Sequence, residues 1–153
     1  MLSANVEQGR VDLQSVLEDE VKEVQSSYPD ATLKFGTSIP TVTLIANEMI
    51  SSVFRNLLKN AIQHNDKDTA EVTISITEYD DTVTVNIADN GPGVPDGQKE
   101  TVFGKGEQGL DSSGTGMGLY LVDTLVSAHN GEVWIDDNEP EGAIFSVELP
   151  TQL

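Results

Sequence analysis

Residues 82–88 alternate apolar and polar side chains and run directly into Asp89-Asn90-Gly91-Pro92-Gly93-Val94. Alternation with period two reads as a strand with one buried face. A strand that ends on a carboxylate and two closely spaced glycines has a defined exit. The aspartate supplies a fixed acceptor, and glycine backbone lets a flat ligand approach without a Cβ in the way. Taken alone the stretch is equally well an ordinary turn, because Asp, Asn, Gly and Pro make most loops. Its company decides. Asn56-Leu57-Leu58-Lys59-Asn60-Ala61 precedes it inside a helical pattern, and Gly114-Thr115-Gly116-Met117-Gly118-Leu119 follows it where another helix opens.

The rest of the chain builds around that strand. Residues 70–79 also alternate, and Asp80-Asp81 between the two runs predicts a tight hairpin. Met49, Ile50, Val53, Phe54, Leu57, Leu58, Ala61 and Ile62 make a nearly complete apolar helix face, with Asn47 placed to cap it. From Asp12 as N-cap, Leu13, Val16, Leu17, Val21 and Val24 mark an earlier amphipathic helix ending near Tyr28-Pro29. A third helix over 117–129 carries Leu119, Leu121, Val122, Leu125 and Val126 and stops at Asn130-Gly131. Short strands are expected at 10–13, 31–35 and 42–45, and a closing hairpin from 132–136 and 143–149. The pattern predicts the α/β class: a two-layer α/β sandwich, one mixed, mainly antiparallel sheet covered on one face by about three helices. Residues 1–9 read as a linker or an appended start, and 10–153 as one domain.

Composition narrows the chemistry. The chain has no cysteine, so neither a disulfide framework nor a thiolate metal site is available. No apolar run approaches the ~20 residues that span a bilayer, which predicts a cytoplasmic domain without direct membrane contact, whatever anchors its parent. With 26 acidic and 8 basic residues the formal charge is −18. That field argues against nucleic acid and anionic membrane as partners, since both need a basic face. A phosphate site must then work inside a negative field. A salt-rich, halophilic cytoplasm would resolve the conflict, because the Debye length falls to about 3 Å at 1 M.

Two constellations carry possible chemistry. A rotation of about 100° per residue puts Asn56, Asn60 and Gln63 on one stripe beside the apolar face. An amide oxygen there can ligate a hard cation such as Mg²⁺, which keeps few protein ligands; the plainer alternative is a solvated helix surface. Gly114, Gly116 and Gly118 open a helix whose free N–H groups would hold an anion. No Gly-Lys-Ser/Thr follows, so this is not a Walker loop.

In order and spacing these stretches, with Val102-Phe103-Gly104 between them, resemble the N, G1, F and G2 boxes of the GHKL (Bergerat-fold) ATPases. The likeness is greatest to the catalytic ATP-binding domain of sensor histidine kinases, and it covers residues 10–150. The resemblance implies a Mg-ATP site under a mobile lid formed by residues 96–113. Carried over by position, Asp89 accepts the adenine amino hydrogen bond, and Gly91, Gly93 and Val94 shape the adenine pocket. Asn60 holds Mg²⁺ against the phosphates, with Asn56, Gln63 and His64 nearby. Gly114, Thr115, Gly116, Met117, Gly118 and Leu119 form the phosphate turn, and Phe103 packs the lid down. The implied reaction is transfer of the ATP γ-phosphate to a histidine on a dimerisation segment of the parent protein that is absent from this chain, with a response regulator downstream.

Three departures qualify the resemblance. Gln63 stands where such kinases often carry Lys or Arg, which leaves Lys105 as the candidate cation. Gly142-Ala143 replaces the usual Gly-Thr, which puts a water-mediated adenine contact in doubt. His64 and His129 lack the following acidic residue of an acceptor histidine and read as structural, or for His64 as adjacent to ligand. The rival readings are an ATP hydrolase of the gyrase, chaperone and mismatch-repair branch, an anti-sigma-type serine kinase and a nucleotide-binding pseudokinase. The hydrolases place a general-base Glu where this chain has Asn56, and an amide cannot take a proton from water.

Overall fold

The two alternating runs become the middle of a sheet. The computed structural model describes residues 9–47, 49–99 and 115–151, and of 115–118 the backbone alone. The chain passes through β1 (Gly9–Asp12), α1 (Leu13–Ser27), β2 (Thr32–Phe35), β3 (Thr43–Ala46), α2 (Ile50–Gln63), β4 (Glu71–Glu78) and β5 (Thr82–Asp89). A short 3₁₀ turn at Asp96–Gln98 follows, then α3 (Thr115–Ala128), β6 (Glu132–Asp137) and β7 (Ala143–Pro150).

The main sheet has the order β2-β4-β5-β7-β6 and is antiparallel except for the β2–β4 pair. Period two puts Val72, Ile74 and Ile76, Val83, Val85 and Ile87, and Phe145, Val147 and Leu149 on one face, buried under the helices. Leu17 and Val24 of α1, Val53, Phe54, Leu57 and Leu58 of α2, and Val122 and Val126 of α3 fill the other side of that core. Side chains buried this fully contribute about 1.5–3 kcal/mol each, which seats α2 on the sheet and fixes the direction of its polar side. The outer sheet face is polar: Ser146 Oγ donates to Asn86 Oδ1 at 2.7 Å across the β5–β7 pair. No described helix is long and apolar enough to cross a membrane.

Four details differ from expectation. β1 and β3 do not join the main sheet. They pair with each other as a separate antiparallel ribbon, and an isolated Leu44–Thr151 bridge links that ribbon to the end of β7. Alternation specifies a buried face, not a partner strand. Met49 is 49% exposed and outside the core, because it sits in the turn before the first helical residue. Asn47 starts that turn by accepting the Met49 N–H on Oδ1 at 2.8 Å rather than capping the helix proper. Asp12 occupies the N-cap position of α1, but its carboxylate accepts the Ser15 hydroxyl at 2.9 Å instead of a backbone N–H.

His129 fits its structural expectation. It is fully buried, its Nδ1 donates to the Leu125 carbonyl at 2.7 Å, and its Nε2 accepts the Asn47 N–H at 3.3 Å. The end of α3 is thereby tied to the start of α2.

Candidate functional site

Asp89 is the last residue of β5 and is 7% exposed. Its Oδ1 accepts two backbone hydrogen bonds, from Gly91 at 2.9 Å and from Ala143 at 3.1 Å. Among the described residues nothing donates to Oδ2, which leaves one carboxylate oxygen for a ligand donor. Burial pushes the Asp89 carboxyl above the usual range, while the two N–H groups and the charge of Lys67 pull it back. Two glycines make the seat. Gly142 has φ +114°, and a Cβ there would overlap the Asp89 carbonyl oxygen; Gly93 has φ +84° and would press on Gly142. Gly91 is crowded rather than twisted, since its Cβ would lie 3.3 Å from Asp89 Oδ1 and 3.4 Å from Asn65 Cα. The aspartate loop therefore abuts the chain just beyond α2, and Val94 packs against the edge of the core.

Asn90 latches the same corner. Its Oδ1 accepts Asn65 Nδ2 at 2.7 Å and the Glu71 N–H at 2.9 Å, and its Nδ2 donates to the Thr69 carbonyl at 3.2 Å. The doubt attached to Ala143 touches only a side chain. What Ala143 gives Asp89 is its backbone N–H, which any residue but proline supplies.

The polar side of α2 splits in two. Asn56 is half-buried and donates its Nδ2 to the Ser52 carbonyl at 2.7 Å. Asn60 is half-buried as well, and no described residue engages its amide. Gln63 instead turns to α1, where its Nε2 donates to the Tyr28 hydroxyl at 2.7 Å. His64 is exposed at the helix end, its N–H bonded to the Asn60 carbonyl at 3.1 Å.

Helix α3 begins at Thr115, so Gly116 and Gly118 lie within its first turn rather than ahead of it. The N–H groups of 115–118 have no partner inside the helix and form a positive end suited to an anion. α3 packs along α2, both run for 14 residues, and His129 holds the end of one at the start of the other. The opening turn of α3 therefore lies toward the Asn60 end of α2. Leu119 anchors that turn at 5% exposure. Gly114, Phe103 and Lys105 lie outside the described residues.

Sequence reasoning passed over several residues that shape the site. Lys67 Nζ meets Glu141 at 2.6 Å and Asp66 at 2.9 Å. Lys99 Nζ meets Asp96 at 2.6 Å, Asp137 at 2.9 Å and the Val94 carbonyl at 2.9 Å. Asn138 Nδ2 donates to the Asp89 carbonyl at 2.8 Å. No local motif marks these residues, because the contacts that tie them to the site, Lys67–Glu141, Lys99–Asp137 and Asn138–Asp89, span 38 to 74 residues.

Known proteins resemble this chain. Residues 46–153 match the family described as histidine kinase-, DNA gyrase B-, and HSP90-like ATPase. The adaptive-response sensory kinase SasA of Synechocystis sp. is 33% identical over 106 residues, covering 67% of this chain and 28% of that protein. The signal transduction histidine-protein kinase BaeS of Escherichia coli is 30% identical over 149 residues, covering 93% of this chain and 32% of the relative. This chain thus spans about a third of the length of these curated relatives. Among solved structures, the mycobacterial sensor histidine kinase MprB superposes with a TM-score of 0.83 at 24% identity, covering 95% of this chain and 99% of the other. The histidine kinase ThkA in complex with the response regulator TrrA gives 0.78 at 22% identity, covering 96% of this chain and 42% of that one. These last two likenesses concern the fold. With the matched stretch running from the end of β3 to the last residue, and the aspartate seat, the asparagine helix and the glycine-opened helix all inside it, the chain belongs to the histidine kinase-, DNA gyrase B- and HSP90-like ATPase family.

Proposed function

We propose that this chain is the ATP-binding catalytic domain of a cytoplasmic portion of a two-component sensor histidine kinase. It would donate the ATP γ-phosphate to a histidine of the parent's dimerisation segment, with a response regulator as the next acceptor. The observation that carries the reading is Asp89: buried, fixed through Oδ1 by two backbone N–H groups, and with Oδ2 left to accept the adenine amino group. Gly91 and Gly93 let the loop close tightly around Asp89, and Val94 would line the pocket edge. The open α3 N–H groups receive phosphate, and Asn60, whose amide meets no described residue, is the ligand for Mg²⁺. The ion when bound offsets phosphate charge.

The chain's own part in transfer is positioning. The phosphorus–oxygen bond to ADP breaks as the phosphorus–nitrogen bond to the acceptor imidazole forms. Asn56 supplies no base for water, which disfavours the hydrolase reading. Gln63 carries no charge and bonds Tyr28, and by the resemblance Lys105 is the candidate for the phosphate-side cation. A salt-rich setting fits the charge of −18.

Calorimetry on two variants tests the reading. Asp89→Asn should lower ADP affinity about 10- to 100-fold, the range for losing a hydrogen bond to a charged group. Asn60→Ala should weaken binding of Mg-ATP while metal-free ADP binds as before. Unchanged ADP affinity in the first variant would remove the adenine role from Asp89.

A further inference from the structure

We propose that the loop between β6 and β7 is a positioning device for Asp89, bolted at both ends by lysines, and that Asn138, Lys67 and Lys99 thereby set how sharply this chain separates adenine from other purines. The inference rests on the reading of Asp89 as the adenine acceptor.

The loop grips Asp89 from two directions. Asn138 Nδ2 donates to its carbonyl at 2.8 Å, and Ala143 N–H donates to its carboxylate at 3.1 Å. Between them the loop closes on itself, with the Asn138 N–H bonded to the Gly142 carbonyl at 3.0 Å and Gly142 pressed beneath Asp89. An exposed loop of this size does not hold such a grip unaided. Lys67, from the connection after α2, reaches Glu141 near one end at 2.6 Å. Lys99, from the turn after Val94, reaches Asp137 beside Asn138 at 2.9 Å and the Val94 carbonyl at the same distance. Both lysines leave segments that flank the aspartate loop and converge on one hairpin. The Lys67 side is tied further, since its own N–H bonds Asn65 Oδ1 at 2.8 Å and Asn65 Nδ2 bonds Asn90 at 2.7 Å. The chain has six lysines against 26 acidic residues, so placing two on this loop is a concentrated use of scarce positive charge.

The chemical consequence is discrimination. Adenine offers an amino donor where guanine offers a carbonyl oxygen, so a firmly held carboxylate accepts one and repels the other. A carboxylate free to shift would lose affinity for adenine without gaining any for guanine, so the discrimination would narrow.

The test is binding of ADP and of GDP to the whole chain by calorimetry, with thermal melting alongside. Asn138→Ala should weaken ADP about five- to tenfold, as for loss of one hydrogen bond, while GDP stays near the parent value, so the ADP/GDP ratio falls. Lys67→Glu should weaken ADP about two- to fivefold, within the range of an exposed ion pair, and adding Glu141→Lys should restore it. Lys22→Glu, on the exposed side of α1, controls for the same change of charge and should leave both nucleotides unchanged. If Asn138→Ala melts below the assay temperature, the Lys67/Glu141 exchange decides alone. Parental ADP affinity and ADP/GDP ratio in these variants, with Asp89→Asn impaired, would overturn the positioning role and leave the adenine reading standing. Equal losses for ADP and GDP, or no restoration by the exchange, would also overturn it. Asp89→Asn binding ADP like the parent would remove both readings together.

Discussion

Glu20 and Asp89 are both carboxylates taken out of water, at 8% and 7% exposure, yet they are held in opposite ways. Glu20 lies between α1 and α2 and meets a full counter-charge. Arg55 Nε donates to Oε1 at 2.9 Å and Nη2 to Oε2 at 3.1 Å, so both oxygens are occupied. That bidentate pair holds the Arg55 guanidinium above its usual range, chiefly through the hydrogen bond to Glu20. Among the described residues no cation contacts Asp89, and its donors meet one oxygen. A carboxylate satisfied on both oxygens by a cation fastens two helices. One held by backbone on a single oxygen has acceptor capacity left over, and that surplus is what a ligand can use.

The contrast breaks most visibly at Gly142. Gly142→Ala forces a side chain onto a φ of +114° and into the Asp89 carbonyl, without touching the Glu20 pair. The expected loss is about 3 kcal/mol of stability or more by urea denaturation, together with ADP binding. A loss under about 1 kcal/mol would mean that the seat yields cheaply and does not fix Asp89.

Glu20→Gln attacks the other member. The Arg55 side chain is 41% exposed, so solvent replaces much of the lost partner, and the expected cost is about 1 kcal/mol. ADP affinity should stay at the parent value. A drop in nucleotide binding would show that the two carboxylates are coupled through α2.

pH separates them next. The folded-state pKa of Asp89 is raised above its ordinary 3.8, so the folded protein holds this proton more tightly than the unfolded chain does. Its contribution is therefore most favourable below 3.8 and is lost as pH rises through the raised value. Asp89→Asn, which keeps an oxygen for the two N–H donors, should melt no lower than the parent at pH 7. Its relative advantage should shrink as pH falls through that window. An Asp89→Asn variant clearly less stable at pH 7 would show that the charge itself is stabilising.

Salt has the smallest and least local effect. With a net charge of −18, screening should raise the melting temperature from dilute buffer to about 0.5 M KCl, where the Debye length is roughly 4 Å. A rise that continues into molar salt would mark adaptation to such a medium. A flat profile would leave the acidity as a matter of solubility.

Much of the molecule was readable in one dimension because its signals are local. The alternation around Asp80-Asp81 is the β4–β5 hairpin, and the apolar spacing at Val53, Phe54, Leu57 and Leu58 is the buried face of α2. The partner of a strand is a different kind of fact. Nothing in 42–45 says that β3 pairs with β1 rather than with the main sheet. Gln63 shares a helical stripe with Asn60 by rotation, yet Tyr28, just past the end of α1, draws it away. Met49 obeyed the helical period but fell before the helix began.

By itself the sequence determined the elements, the apolar layer between sheet and helices, the ordered motifs and hence the family. Those follow from residue types at short, regular spacing, where backbone geometry leaves few choices. Only the tertiary structure decided which polar groups are left unsatisfied. Asp89 Oδ1 takes one N–H locally from Gly91, but its second comes from Ala143, delivered by the register of β5 and β7, and its carbonyl is met by Asn138 and Gly142, about fifty residues further along. Hydrogen bonds and ion pairs act over about 3–4 Å, so residues remote in sequence take part only when the packed core brings their strands side by side.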